Sequence, residues 1–172
     1  MRQFCQCRSA PSQEYHGPSI QWGWILGSAQ TGTGKTASFT LPMIDILASG
    51  RAKARLPRSL ILAPTRELAA QVADSFEKFS SYHKLSMALL IGGVSFTEQN
   101  AALSKGVDVL IATPGRLLDH FERGKVLLND VKILVIDEAD RMLDMGFIPD
   151  VERIASLLPR MRQTLFFSAT LS

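Results

Sequence analysis

Short apolar runs alternate with longer segments of helical period along most of the chain. The runs are rich in Val, Ile and Leu and lie at residues 24–29, 59–63, 86–91, 107–112, 132–136 and 164–167. The helical segments between them lie at residues 35–48, 66–80, 97–104, 115–123 and 150–158. Strands that are apolar on both faces, each followed by a helix, indicate a parallel sheet covered on both sides. The predicted fold class is therefore α/β, with a mostly parallel sheet and helices on both faces.

The second helical segment carries an apolar stripe that predicts its buried face. Leu68, Val72, Phe76 and Phe79 fall at i, i+4, i+8 and i+11, so they lie on one side of a helix. The preceding connection, with Arg58 at its end, is predicted to be a solvated basic loop. Contact between this loop and nucleic acid is the less favoured alternative. The basic residues assigned to it are Arg51, Lys53, Arg55 and Arg58.

Composition restricts the classes of protein further. The chain has 172 residues, of which 46% are hydrophobic and 20% charged, and this is typical of one globular domain. No apolar run is long enough to span a bilayer and no secretory signal is evident, so we expect a cytoplasmic protein without membrane contact. The net charge of +3 favours a polyanionic partner only weakly. Cys5 and Cys7, with His16, are too few for a zinc site, and free thiols are expected.

A phosphate-binding loop is predicted where the first apolar run meets the first helix. Its residues are Ala29, Gln30, Thr31, Gly32, Thr33, Gly34, Lys35 and Thr36. Apart from Ala29 at the first glycine position, they match the P-loop pattern, in which backbone N–H groups and the helix dipole bind phosphates. Lys35 is predicted to reach the β- and γ-phosphates, and the Thr36 hydroxyl to ligate Mg²⁺. A glycine-rich turn without a ligand is the disfavoured alternative.

Two carboxylates follow the apolar run that ends at Ile136. Asp137 is placed to hold Mg²⁺, partly through water, and Glu138 to orient and deprotonate the water that attacks the γ-phosphate. A charged helix cap is the alternative for an isolated acidic pair. Because the pair stands in the same predicted sheet as the phosphate loop, catalysis is the favoured interpretation, with Lys35, Asp137 and Glu138 as its residues.

These two motifs, together with four others in the same order, resemble the DEAD-box ATP-dependent RNA helicases, bacterial members in particular. The other four motifs are Pro64-Thr65-Arg66-Glu67-Leu68, Gly92-Gly93, Thr113-Pro114-Gly115-Arg116 and Ser168-Ala169-Thr170. The resemblance covers residues 25–172. It implies a RecA-like P-loop domain, with ATP and Mg²⁺ as cofactors and RNA as partner.

The resemblance also implies which residues grip the RNA backbone: Pro64, Thr65, Arg66, Gly93, Thr113, Gly115 and Arg116. Hydroxyls, helix N-termini and arginine bind phosphate without reading sequence, which agrees with that role. Taken singly, each motif is also compatible with ordinary turn chemistry. No aromatic residue is seen to interleave the motifs, so no base-stacking platform is predicted. Asp140, Ser168 and Thr170 resemble the coupling residues, with the two hydroxyls expected to hydrogen-bond near Asp140.

The chain departs from the family in two respects. Gln21, the candidate adenine contact, lies eight positions before Ala29, about half the separation usual in the family, so a loop glutamine is the alternative. Residues 1–24 are therefore expected to be an atypical, disordered or misread segment, and 25–172 the helicase ATP-binding domain. The family also carries a second RecA-like domain, and we expect that these 172 residues do not include it. We expect a monomer that binds nucleotide weakly, hydrolyses it slowly and does not unwind RNA alone.

Two other functions stay open from the sequence. One is a catalytically incomplete fragment that binds ATP and RNA, or sequesters substrate, with little hydrolysis. The other is a different P-loop protein, such as a DNA helicase or a small GTPase. The Thr113-Pro114-Gly115-Arg116 motif beside Asp137 argues against the second, and no Asn-Lys-x-Asp base-recognition motif is found.

Overall fold

The structure, a computed structural model, describes residues 24–28, 34–50 and 56–169. Its strands are β1 (Trp24–Ser28), β2 (Ser59–Leu62), β3 (Met87–Leu90), β4 (Val109–Ala112), β5 (Ile133–Ile136) and β6 (Gln163–Ser168). Its helices are α1 (Lys35–Ala48), α2 (Arg66–Phe79), α3 (Phe96–Ser104), α4 (Pro114–Glu122), α5 (Ala139–Asp144) and α6 (Ile148–Leu157). None of these helices is long and apolar enough to cross a membrane.

The strands form one sheet in the order β1-β6-β5-β2-β4-β3. Every neighbouring pair is parallel, and Ile61 on β2 is in register with Ile111 on β4 and Val135 on β5. The α/β prediction is confirmed. Because all the strands run in the same direction, the loops that follow them emerge at one edge, which is where ligands bind in such sheets.

The central strands are buried completely because helices cover both of their faces. Residues of β2 alternate between two cores, with Leu60 packed among side chains of α4 and α6, such as Leu117 and Ile154. Ile61 faces the opposite core, which includes Phe76 of α2. The strict two-residue alternation in an all-apolar strand is what a sheet covered on both sides requires.

The buried face of α2 differs from the predicted stripe. Val72 and Phe76 are buried as expected, but Phe79 is 38% exposed and Leu68 is only partly buried. Ala69 and Ala73 complete the buried face instead. Small side chains let α2 lie close to the sheet, and a count of large apolar residues overlooks them. The short helix α5 was also not predicted, because its six residues are too few for a periodic signal.

The prediction that Arg58 belongs to a solvated loop is wrong. Arg58 is buried at the amino end of β2, where its Nε and Nη2 donate to Asp108 Oδ1 at 3.1 and 2.6 Å. Its Nη1 donates to the carbonyls of Leu47 and Gly50, both at 3.0 Å. The guanidinium is buried because it ties the end of α1 to the amino ends of the strands. Arg51, Lys53 and Arg55 lie outside the described residues.

Candidate functional site

Helix α1 begins at Lys35, directly after a glycine in the left-handed region. Gly34 has φ 87°, and a Cβ added there would meet no atom within 4 Å. Its backbone conformation, not space, therefore favours glycine. Residues Ala29, Gln30, Thr31, Gly32 and Thr33 of the predicted phosphate loop lie outside the described part of the chain. Gly34, Lys35 and Thr36 lie where the sequence predicts them, at the start of a helix.

Lys35 is a buried amine, 8% exposed, whose Nζ has no hydrogen-bond partner among the residues that the structure describes. A buried ammonium group without a partner is costly, and an anionic ligand would relieve that cost. Lys35 and Thr36 open onto a cavity of about 270 Å³ together with both predicted carboxylates. The described lining residues are Gly34, Lys35, Thr36, Leu68, Gln71, Val72, Asp137 and Glu138. Leu68, Gln71 and Val72 of α2 were not among the residues predicted for this site, although Leu68 ends the Pro64 motif and the other two lie one helical turn beyond it.

Asp137 and Glu138 leave β5 at the carboxyl edge of the sheet, and both are nearly buried. The Asp137 N–H donates to the Leu62 carbonyl at 2.9 Å, which continues the pairing with β2. Burial raises the pKa of Asp137; the charge of Lys35 opposes this rise and that of Glu138 adds to it. A cation bound in the cavity would favour the ionised carboxylate, so the donor set fits a divalent ion.

Glu138 has a strained backbone, with φ 50°, and is the only non-glycine residue with positive φ among those described. It stands at the N-cap position of α5, yet its side chain makes no capping hydrogen bond within the described chain. Instead, Glu138 Oε2 accepts from Arg141 Nη1 at 3.1 Å. Strain of this kind concentrates at functional sites. The helix-cap alternative therefore does not account for the carboxylate.

The Asp140 side chain connects the end of β5 to the end of β6. Its Oδ2 accepts from the backbone N–H of Ala169 at 3.2 Å, and its Oδ1 from the N–H of Arg141 at 3.0 Å. Ala169 lies between the two hydroxyl residues that the sequence analysis placed near Asp140. Ser168 is buried at the end of β6, and Thr170 is outside the described residues. The coupling role of the three residues stays a prediction.

The candidate RNA-binding motifs follow β2, β3 and β4, which are neighbours in the sheet. Arg66 and Gly93 approach each other across this edge, since a Cβ on Gly93 would lie 3.2 Å from Arg66 Nη1. Arg66 is exposed and its Nε lies 2.6 Å from Glu67 Oε1. Hydrogen bonding and charge from Glu67 raise the pKa of Arg66. The motifs thus form one surface with an exposed guanidinium beside a glycine in the left-handed region, at φ 80°.

The two threonines of these motifs stand at helix N-termini but differ in their hydroxyls. Thr65 caps α2, because its Oγ1 accepts from the Leu68 N–H at 3.3 Å. Thr113 precedes α4 and makes no side-chain capping bond with any described residue. Gly115 in the first turn of α4 is exposed, with open space where a Cβ would be. Helix N-termini of this kind attract phosphate. Pro64 is buried beside Thr65 at the end of β2.

Arg116, the last predicted RNA contact, is already engaged by the protein. Its Nε donates to Gln99 Oε1 at 3.0 Å, its Nη2 donates to the Val94 carbonyl, and its guanidinium lies 3.5 Å from the centre of the Phe96 ring. Phe96 therefore does lie between the motifs, contrary to the sequence analysis. It is no open stacking platform, because the guanidinium of Arg123 also lies over the ring, at 4.1 Å. No local pattern predicts this cluster, because its members come from different helices.

Comparison with known families and sequences gives consistent matches. The profile of the family described as DEAD/DEAH box helicase matches residues 11–172. The ATP-dependent rRNA helicase rrp-3 of Neurospora crassa is 49% identical over 164 residues, which cover 94% of this chain and 31% of that protein. The ATP-dependent RNA helicase DeaD of Mycobacterium tuberculosis is 48% identical over 151 residues, which cover 86% of this chain and 26% of that protein. The chain thus spans about a quarter to a third of these curated relatives.

Solved structures give the same result. A DEAD box protein from the hyperthermophile Methanococcus jannaschii superposes with a TM-score of 0.80 at 41% identity, covering 88% of this chain and 40% of that one. The yeast DEAD-box splicing factor Prp28 also gives a TM-score of 0.80 at 36% identity, and the match covers 86% of this chain and 36% of that one. These matches confirm the RecA-like fold predicted from the motifs. The domain boundary at residue 25 stays a prediction.

Proposed function

Because the chain belongs to the DEAD/DEAH box helicase family, we propose that it is the ATP- and RNA-binding domain of an ATP-dependent RNA helicase. The observation that carries this proposal is the buried Lys35 amine, which finds no partner in the described part of the chain and opens onto the same cavity as Asp137 and Glu138. A cation and two carboxylates around one cavity are the donor set that a magnesium nucleotide requires.

In this proposal the chain binds the phosphates of ATP at the start of α1. Lys35 donates to the β- and γ-phosphates, while Gly34 and the preceding residues 29–33 offer backbone N–H groups and the positive end of the helix dipole. The Thr36 hydroxyl and Asp137 would hold Mg²⁺, Asp137 partly through water, and the bound ion would neutralise charge on the phosphate oxygens. Gln21, outside the described residues, is proposed as the adenine contact.

Glu138 acts as the general base for hydrolysis. Its carboxylate borders the cavity and is held by the ion pair with Arg141, which limits its orientations. It accepts a proton from the water that attacks the γ-phosphate, and the Lys35 ammonium stabilises the charge that develops there. The strained backbone of Glu138 supports this role, because its carboxylate leaves the strand end directly at the cavity.

RNA binds along the edge formed by the loops after β2, β3 and β4. We propose that Pro64, Thr65, Arg66, Gly93, Thr113 and Gly115 contact the sugar–phosphate backbone, which makes binding salt-dependent and weakly sequence-specific. Arg116 belongs to the same surface.

The hydrogen bond between Asp140 and Ala169 lies between β5 and β6, and with Ser168 and Thr170 it is proposed to connect the state of the nucleotide to the RNA.

The relatives are much longer than this chain, so its activity alone is a separate proposal. We propose that the chain is a cytoplasmic monomer that hydrolyses ATP slowly and does not unwind RNA, because a second RecA-like domain completes the site in the family. Arginine from such a second element accelerates phosphoryl transfer by about 10³–10⁵. An ATP- and RNA-binding fragment without hydrolysis is the second candidate function, supported by the short coverage of the relatives.

The substitution Glu138→Gln tests the catalytic proposal. We expect single-turnover ATP hydrolysis to fall by at least about 100-fold, while the affinity for fluorescent MgADP changes by less than about twofold. Glu152→Gln, an exposed acid on α6, is the matched control and leaves hydrolysis unchanged. Equal hydrolysis by Glu138→Gln and the unsubstituted chain would exclude this base and favour the second candidate. Strand separation of a short RNA duplex by the isolated chain would overturn the proposed dependence on a second domain.

A further inference from the structure

A buried amide lies beneath the candidate RNA-binding edge. Gln99 of α3 is 3% exposed, and both ends of its side-chain amide are hydrogen-bonded. The Nε2 group donates to the Ile91 carbonyl at 2.8 Å, directly before Gly92 and Gly93. The Oε1 atom accepts from Arg116 Nε at 3.0 Å and lies 2.7 Å from His120 Nε2. One side chain therefore joins the loop after β3 to α4.

The orientation of this amide is fixed by its neighbours. The Ile91 carbonyl can only accept and the Arg116 guanidinium can only donate, so Gln99 Nε2 faces the former and Oε1 the latter. His120 must then donate from Nε2, and its buried Nδ1 has no hydrogen-bond partner among residues 24–28, 34–50 and 56–169. Burial lowers the pKa of His120, which favours the neutral ring with Nδ1 unprotonated. The neutral imidazole is thus part of the arrangement.

Arg116 is bound from three sides by this cluster. Besides Gln99, it reaches the Val94 carbonyl and stacks on Phe96. The Val94 contact is on the loop that carries Gly93, one residue beyond it. The guanidinium already contacts a carbonyl, an amide and an aromatic ring, so it holds the loop in one shape. These contacts leave it less free to bind an RNA phosphate directly.

We propose that Gln99 is a positioning residue for RNA binding: it clamps Arg116 against the Gly92–Val94 loop, so that Arg116 acts on RNA through the shape of this loop. This inference rests on the proposed RNA-binding function of the same edge. It makes Gln99 and Arg116 one unit, while Arg66 binds phosphate directly.

The test uses the full chain and a short, fluorescently labelled oligo-uridine, with affinity measured by anisotropy over a range of salt concentrations. Gln99→Leu removes both ends of the clamp at similar volume, and Asn100→Leu makes the same change of chemistry one position along α3. We expect Gln99→Leu and Arg116→Ala each to weaken RNA binding by about tenfold, which corresponds to the net free energy of about one hydrogen bond. Their double variant loses no more than either single variant. Asn100→Leu changes affinity by less than about twofold.

Two further readouts separate a clamp from a general loss of structure. Affinity falls with salt, and Arg66→Ala makes the negative slope of log affinity against log salt shallower by about 0.7, the value of one phosphate contact to a single strand. Gln99→Leu and Arg116→Ala leave the slope unchanged. MgADP affinity stays unchanged in all of them. Amide hydrogen exchange at Gly93 and Val94, measured without RNA, becomes faster in Gln99→Leu and Arg116→Ala but not in Asn100→Leu.

The outcomes distinguish the clamp from the RNA-binding proposal. If Arg66→Ala weakens RNA binding while Gln99→Leu binds normally, the clamp is wrong and the RNA-binding edge stands. If Arg116→Ala lowers the salt slope as Arg66→Ala does, Arg116 is itself a phosphate ligand and the proposal is overturned. If the unsubstituted chain binds no RNA, the proposed function fails. The exchange rates then decide the clamp alone, and unchanged rates in Gln99→Leu would refute it.

Discussion

At the amino ends of the strands, the buried Arg58 is paired with the partly buried Asp108, whereas at the carboxyl ends Lys35 is buried with no hydrogen-bond partner among the described residues. Asp108 receives two bonds from Arg58, and its Oδ2 accepts from the N–H and the hydroxyl of Ser86, both at 3.0 Å. Burial tends to raise the pKa of Asp108, but the bonds from Ser86 and Arg58 outweigh it and the pKa is lowered. At Asp137 the effect of burial is the larger one, and the pKa is raised.

The difference shows what each end is for. A buried charge is tolerated when the fold supplies its partners, as it does for Arg58, and such an arrangement serves the stability and alignment of the strands. A buried charge whose partners the described fold does not supply, as at Lys35, lowers stability unless a ligand completes it. The amino end of the sheet is thus completed by the protein itself, and the carboxyl end fits the anionic ligand proposed above.

The largest predicted effect concerns the completed end. Arg58→Met leaves the partly buried Asp108 carboxylate with only its bonds from Ser86 and frees the Leu47 and Gly50 carbonyls, so we expect the free energy of unfolding to fall by about 3 kcal/mol. Chemical denaturation measures this loss, and the fraction that stays folded should bind MgADP normally. Adding Asp108→Leu removes the unpaired oxygen that Arg58 left and should recover part of the stability. A loss below about 1 kcal/mol for Arg58→Met would show that this ion pair does not hold the amino end together.

A smaller effect, of opposite sign, is predicted at the carboxyl end. Glu138→Gly relieves the left-handed backbone at φ 50° and should raise the free energy of unfolding by about 1 kcal/mol. Glu138→Gln is the matched control, since it removes the charge but keeps the strain, and it should gain none of this stability. Both variants lose ATP hydrolysis. If Glu138→Gly were no more stable than Glu138→Gln, the strain would not be a cost carried for function.

The smallest predicted effect is a pH dependence of stability at His120, which lies beneath the proposed RNA-binding edge. Burial lowers the pKa of His120 from its ordinary value of 6.5; Arg116 and Arg123 also lower it, and Asp119 opposes them. The unfolded chain therefore binds this proton more readily, so the stabilising contribution is present above pH 6.5 and is lost as the pH falls toward the folded pKa.

Unfolding measured from neutral pH down to about pH 5 tests this, with His120→Gln as the comparison because its amide can still donate toward Gln99. The wild-type chain should lose more stability on acidification than the variant. If the stability of both proteins changed equally with pH, the titration of His120 would not contribute to stability in this pH range.

The sequence predicts the sheet and the position of the site well because both depend on local patterns. Short all-apolar runs rich in Val and Ile, such as that ending at Ile136, indicate buried strands. Motifs at their ends must meet at one edge when the strands are parallel. Lys35, Asp137 and Glu138 are brought to one cavity for this reason. Arg58 was misjudged because the sequence cannot show that Asp108, fifty positions away, supplies its partner.

The Gln99 clamp could not be predicted for the same reason. Its bonds to Ile91, Arg116 and His120 join positions from the loop after β3 and from α4, which are brought near α3 only by the fold. Gln99 has no motif of its own, and a lone glutamine in a helical segment looks like a solvated residue. Side chains that position a site by long-range contacts leave little trace in local sequence.

The contrast between the two ends is tested most directly by Lys35→Met, measured for both stability and nucleotide binding. The substitution keeps the length of the side chain and removes the buried ammonium group. We expect the free energy of unfolding to rise by about 1–3 kcal/mol, the cost of one buried unsatisfied polar group, while MgATP affinity falls by at least about 100-fold. A variant that unfolds more easily than the wild type and still binds MgATP would contradict it, because Lys35 would then serve the fold and not the phosphate.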